Sequence, residues 1–291
     1  MSEYDLGMYE KAVPDSLPLE RKMEIARRCG YDHLEFCVDL NAERAARLDW
    51  SRDERKRWRD ISWEMNLPFT TFSLSLLRRT PLGLPDRAKN QEAFEVLEKS
   101  AELARDLGSR IILINGYDVY GEPSTEETRK RFFENLPKAA EICAKYGVTA
   151  GLENAEMPFC DTVKKAADIV DRIHSPYLKI YADIANTANV NDGNAERAAE
   201  DLLCGQGRIF AMHLKDMVPG DFRYTKYGEG MVDFPRSIHA AKKLGVRIFT
   251  AELFCEGNEG YEEKAAQVCR FLRGYLDAEF RAAPIRPQDL P

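Results

Sequence analysis

Glu153, Asp183, His213 and Glu252 each stand at or near the C-terminal end of a short apolar run: TAGLEN, LKIYAD, FAMHLKD and IFTAEL. Successive members lie 30, 30 and 39 residues apart, the spacing of βα units. In a closed parallel barrel all the C-terminal strand ends open on one mouth, so three carboxylates and an imidazole would converge there. Hard oxygen donors with one His suit a divalent ion such as Mn²⁺, Co²⁺ or Zn²⁺. Taken singly, a carboxylate at a strand end is an ordinary helix cap or ion-pair partner. The conjunction changes that reading, because Glu153, Asp183 and Glu252 directly follow apolar residues, where an unpaired carboxylate is costly to desolvate. The pattern predicts a metal-dependent barrel enzyme.

Positioning these side chains requires a regular frame. Strand-like runs occur near 5–9, at HLEFCV (33–38), at PFTTFSL, entered through Pro68, and at RIILIN (110–115), followed by the four runs above. Helical stretches alternate with them: from Leu19 to Gly30, after Ser51, from Asp86 to Gly108, and from the Ser124-Thr125 cap to Gly147. Further helices are predicted near 161–173, 194–204, 233–244 and 259–280. Acids in the first turn, as at Glu126 and Glu127, and a glycine stop are the expected helix punctuation. Eight such units predict a single-domain (β/α)₈ barrel over 1–280, with a proline-rich tail over 281–291. A doubly wound dinucleotide-binding sheet is disfavoured, since neither GxGxxG nor GxxxxGK[ST] occurs.

The bulk properties narrow the function classes. A net charge of −7 argues against a nucleic-acid partner. No apolar run reaches the roughly 18–20 residues of a bilayer span. The acidic start MSEYDLGMYEKAVP does not resemble a signal peptide. The seven cysteines are scattered without a CxxC pair and are expected to be reduced, mostly core residues of a cytoplasmic protein, Cys160 and Cys255 included. His33, His174 and His239 are expected to be structural or surface residues.

LEN (152–154), YADIAN (181–186), MHLKD (212–216) and AEL (251–253) resemble the metal-binding strands of the xylose-isomerase-like TIM-barrel superfamily. LGMYEKAVP, LSLLRRTPLG, NGYDVYGEPSTEETRKRF and the run His213–Phe234 carry the likeness further, to the L-ribulose-5-phosphate (L-xylulose-5-phosphate) 3-epimerases. The resemblance implies one divalent ion held by Glu153, Asp183, His213 and Glu252, with Glu153 and Glu252 also the acid/base pair. It implies removal of the C3 proton beside the C2 carbonyl of a ketose, a cis-enediolate stabilised by Lewis acidity, and return of a proton to the opposite face. It also implies a homo-oligomer, a dimer or larger. Free-ketose 3-epimerases of the branch carry a His where this chain has Asn186, and an Arg where it has Pro219, the nearest Arg being Arg223. Those departures lean toward a sugar phosphate.

A phosphate requires cations or backbone N–H groups. The long loop after strand seven offers Lys215, Arg223, Lys226, Gly228 and Gly230, with Lys215 and Lys226 ranked first. Arg78 with Arg79, and Lys11, are further candidates. Tyr9, Glu10, Asn115, Tyr117 and Tyr120 gather at the ends of strands one and four, where they could meet a sugar. The same site could instead serve sugar or sugar-phosphate isomerisation, free-ketose 3-epimerisation or inosose dehydration. An endonuclease IV-like nuclease is a remote alternative, poorly matched by an acidic chain with four histidines. A non-catalytic sugar-binding barrel has no residue in its favour.

Overall fold

The structure is a computed structural model and describes residues 3–281. The proline-rich tail expected after Arg281 lies outside the described residues.

Eight parallel strands close into a barrel in chain order. They are β1 (Asp5–Tyr9), β2 (His33–Val38), β3 (Thr71–Leu74), β4 (Ile111–Asn115), β5 (Thr149–Glu153), β6 (Leu178–Asp183), β7 (Ile209–Leu214) and β8 (Ile248–Ala251). Closure is made by β1 pairing with β8, Met8 opposite Ala251. The helices are α1 (Leu19–Cys29), α2 (Ala42–Ala46), α3 (Arg52–Glu64), α4 (Arg87–Leu107), α5 (Glu126–Tyr146), α6 (Val163–Ile173), α7 (Ile184–Val190), α8 (Ala195–Leu203), α9 (Phe234–Lys243) and α10 (Tyr261–Phe280). No helix of the described residues is long and apolar enough to cross a membrane.

The expected punctuation is in place. Thr125 caps α5 by accepting from Thr128 N–H, and Gly108 ends α4 in the left-handed region at φ 90°. Two short helices, α2 and α7, were not read from the sequence. α7 exists because the Asp183 carboxylate caps it, Oδ1 accepting from the N–H groups of Ala185 and Asn186 at 2.7 and 3.0 Å. β3 is shorter than PFTTFSL suggested, starting only at Thr71.

The core has two parts of different character. A continuous apolar layer joins the outer faces of the strands to the helices, with Leu6, Phe36, Ile112 and Phe249 fully buried in it. Inside the barrel the apolar set is small, comprising Ile111, Leu113, Tyr181 and Ala211. Polar side chains fill the rest: His33, Glu35, Thr71 and Thr250 are all completely buried. Gly7 permits this filling, since a Cβ there would collide with the His33 ring.

Candidate metal centre

Pairing register brings the four sequence-selected residues together. Asp183 of β6 lies opposite His213 of β7, and Glu153 ends β5 beside Tyr181. Glu252 follows β8, its N–H donating to Leu214 O at 3.0 Å. One donor atom from each of Glu153, Asp183, His213 and Glu252 falls within 4.8 Å of every other. All four side chains are buried. His213 Nδ1 sits 3.2 Å from Glu153 Oε1 and 3.8 Å from Glu252 Oε2.

One fixed cation, Lys215, faces this charge. Lys215 Nζ lies 2.8 Å from Asp183 Oδ2 and 2.5 Å from Glu252 Oε2. Burial alone would lower the Lys215 pKa, but the charges of Asp183, Glu252 and Glu153 outweigh it and raise it. Burial would likewise lower that of His213. The charges of Glu35 and Glu252, with hydrogen bonds to Glu153 and Glu35, hold it well above the usual imidazole range.

The donor set fits a divalent ion. Asp183 Oδ2 is fully buried, with the Lys215 ammonium 2.8 Å away as its charged neighbour. One ammonium faces three buried carboxylates, and buried charge left uncompensated is costly unless a further cation takes it. Three carboxylates and one imidazole are also the ligand chemistry of Mn²⁺, Co²⁺ or Zn²⁺.

The cluster floors a cavity of about 300 Å³. Lys215, ranked for phosphate, belongs to the cluster instead, because two residues after His213 along an extended chain its side chain points the same way. Lys226 lies outside this cavity: it is exposed, pairs with Glu229 at 3.4 Å and lines a separate groove with Tyr224 and Phe271. Glu10 is turned away from the mouth into a buried cluster with Arg47 and Lys22. Lys11 lines the cavity but is paired with Asp39 at 2.6 Å, and Arg79 is exposed against Glu92.

Other candidates do line the cavity. Arg78 Nε donates to Tyr117 OH at 3.0 Å, and the guanidinium lies 5.0 Å from the centre of the Tyr120 ring. Arg223 rests 5.4 Å from the Phe254 ring centre. Neither arginine has a carboxylate within ion-pair distance among the described residues. Asn115 Nδ2 donates to Glu153 Oε2 at 2.6 Å, and Tyr117 OH donates to Asn115 Oδ1 at 3.0 Å. Asn186 Nδ2 donates to Asn154 O at 2.9 Å, and the Tyr9 ring centre lies 6.0 Å from that of His213.

Several site features were not singled out from the sequence. Ser75 Oγ lines the cavity, buried without a hydrogen bond. Its place in LSLLRR, three residues before Arg78, was the available signal. Asp216 is buried at the root of the loop after β7 and accepts from the N–H groups of Met217, Gly228, Gly230 and Val232 at 2.8–3.2 Å. Gly230 is required there, since a Cβ would strike the Asp216 carboxylate. Glu35, in the middle of HLEFCV, meets His213 from below.

Residues 23–275 match the family described as xylose isomerase-like TIM barrel. The L-ribulose-5-phosphate 3-epimerase UlaE of Shigella flexneri is 33% identical over 273 residues, which is 93% of this chain and 94% of that protein. The chain belongs to the L-ribulose-5-phosphate 3-epimerase branch of that TIM-barrel family. As a member of the branch it is an isomerase of the carbohydrate epimerase type. Solved structures share the family fold: an L-ribulose 3-epimerase (TM-score 0.78, 19% identity, 98% of this chain and 100% of that one) and a zinc-bound IolI protein (TM-score 0.76, 19% identity, 95% and 99%).

Proposed function

We propose that the chain interconverts L-ribulose 5-phosphate and L-xylulose 5-phosphate by inverting C3, with one divalent ion held by Glu153, Asp183, His213 and Glu252. The observation that carries this reading is the convergence of two glutamates, from non-adjacent strands β5 and β8, on one buried donor cluster at the floor of the cavity. Mn²⁺, Co²⁺ or Zn²⁺ bound there supplies Lewis acidity toward a ketose carbonyl and its neighbouring hydroxyl. The protein supplies the proton chemistry. One glutamate removes the C3 proton and the other delivers a proton to the opposite face, so the centre inverts. Asn115 orients Glu153 by its hydrogen bond to Oε2, and Lys215 holds Glu252 by Oε2. Fixing one oxygen of each carboxylate points the group at the substrate without an entropy cost in the reaction step.

The phosphate end of the substrate fits Arg78 and Ser75. An arginine without a carboxylate partner and a buried hydroxyl without a hydrogen bond are both satisfied by a phosphate oxygen. Arg223, on the loop after β7, is a second cation for the same end. The relatives named for L-ribulose 5-phosphate support a phosphorylated pentulose over a free ketose.

Solvent exchange tests the proposal. Protein with Mn²⁺ is mixed with L-ribulose 5-phosphate in D₂O beside a chelated control. Deuterium at C3 with L-xylulose 5-phosphate as product, lost on chelation, is expected. Exchange at C1 with an aldose product would instead identify an isomerase, and exchange unaffected by chelation would overturn the role of the ion.

A further inference from the structure

Glu35 crosses the barrel interior from β2 and is completely buried beneath the mouth. Its Oε1 accepts from His213 Nε2 at 2.7 Å. Its Oε2 accepts from Thr71 Oγ1 at 2.6 Å and from Tyr181 OH at 2.7 Å. Thr250 Oγ1 stands 3.0 Å from Tyr181 OH and is itself 3.3 Å from His33 Nε2. The carboxylate is thus held from β3, β6 and β7, with no freedom to turn.

We infer that Glu35 is a positioning residue for the metal centre: it keeps the proton of His213 on Nε2 and turns Nδ1 toward Glu153, Asp183 and Glu252. The inference rests on the metal-binding reading above. An imidazole offers an ion one nitrogen, and which one is set by the hydrogen bond the other makes. Here Nε2 is committed to an acceptor at the barrel axis, so only Nδ1 is left facing the donor cluster. The carboxylate also raises the basicity of the ring it holds. A buried Glu with such fixed donors has a second effect: it prevents the ring from flipping when the cluster is empty. Glu35 itself lies below the mouth and is not among the residues lining the cavity, so it does not meet substrate.

The test reads metal binding, not turnover. Metal-free protein competes with a chromophoric chelator for Zn²⁺, wild type beside Glu35→Gln. The expected result is wild-type uptake of one Zn²⁺ and roughly 10–100-fold weaker affinity in the variant, the usual cost of losing the outer partner of a ligating His. The imidazole ¹⁵N spectrum of Zn²⁺-loaded wild type requires no variant and covers the case in which Glu35→Gln does not fold. It is expected to place the His213 proton on Nε2 and the ion on Nδ1. Equal Zn²⁺ affinity in Glu35→Gln, or a spectrum with the proton on Nδ1, overturns the role of Glu35 while leaving the metal site standing. A wild type that takes no Zn²⁺ overturns both.

Discussion

Glu10, at the end of β1, and the carboxylates at the ends of β5, β6 and β8 are all buried acids at the same end of one barrel, yet their surroundings are opposite. Glu10 is fully compensated. Arg47 grips it through Nη1 and Nη2 at 2.6 and 2.7 Å, Lys22 lies at 3.2 Å, and Cys37 N–H donates at 3.0 Å. Burial by itself would raise the Glu10 pKa, but the charges of Arg47 and Lys22 hold it at about 2. The mouth cluster sets three carboxylates against a single lysine, Lys215, shared between Asp183 and Glu252, with the His213 ring among them. The first arrangement is closed and belongs to the architecture. The second carries more buried negative charge than its one lysine offsets, which leaves it open to a further cation in a way the first is not.

The largest effects that would sharpen this contrast lie at the mouth. Glu153→Gln and Glu252→Gln are each expected to lower turnover by about 10²–10⁴-fold, the range of a positioned acid or base, with thermal unfolding little changed. Retention of more than about a tenth of the activity by either variant would break the two-base scheme. Glu10→Ala should do the reverse. Leaving Arg47 and Lys22 buried without their acid is expected to cost about 3–5 kcal/mol in urea unfolding, with Zn²⁺ stoichiometry unchanged; loss of the ion instead would merge the two regions.

Acid titration gives a smaller, graded version of the same comparison. The Glu10 pKa of about 2 lies below its ordinary value near 4.5, so the unfolded chain takes up that proton first as pH falls. Its contribution to stability is full above about 4.5 and drains away between there and about 2. Glu10→Gln should therefore flatten the dependence of the urea midpoint on pH in that window, and an unchanged slope would remove Glu10 from the account. At the substrate end, Arg78→Ala is expected to raise KM for the phosphorylated ketose about tenfold, the loss of one charge-assisted bond, and to leave a free ketose unaffected. Lys226→Ala, outside the cavity, should change either KM by less than about twofold, as for an exposed ion pair. An equal effect of the two substitutions would return the phosphate to the loop after β7.

The barrel and its four convergent residues were legible because both depend on local rhythm. Apolar runs separated by capped helices fix the strand ends, and LEN, YAD, MHLKD and AEL occupy those ends. Relations between strands were not legible in the same way. In HLEFCV both faces are buried, so periodicity does not tell which residues point down the barrel axis, and Glu35 passes for an incidental acid. Lys215 reads as a phosphate candidate in the sequence because its partners, Asp183 and Glu252, lie on other strands. Glu10 looked like a mouth residue for the same reason, since Arg47 comes from a turn 37 residues away. Lys226 is a candidate in the sequence only by loop membership, which says nothing about the direction a side chain takes in an 18-residue excursion between about 215 and 232.

The clasp made by Asp216 has a bearing on how this loop can change. Its carboxylate binds main-chain N–H groups at both ends of the excursion; glycine is required at Gly230, where a side chain would collide, and favoured at Gly228, where φ is 88°, while Met217 and Val232 are held through the main chain alone. The tip bearing Phe222 and Arg223 hangs from a frame indifferent to its sequence. Mutation can therefore explore new contacts over the substrate while the stem keeps its shape, and a loop built this way is a natural graft point for redirecting the enzyme to another sugar.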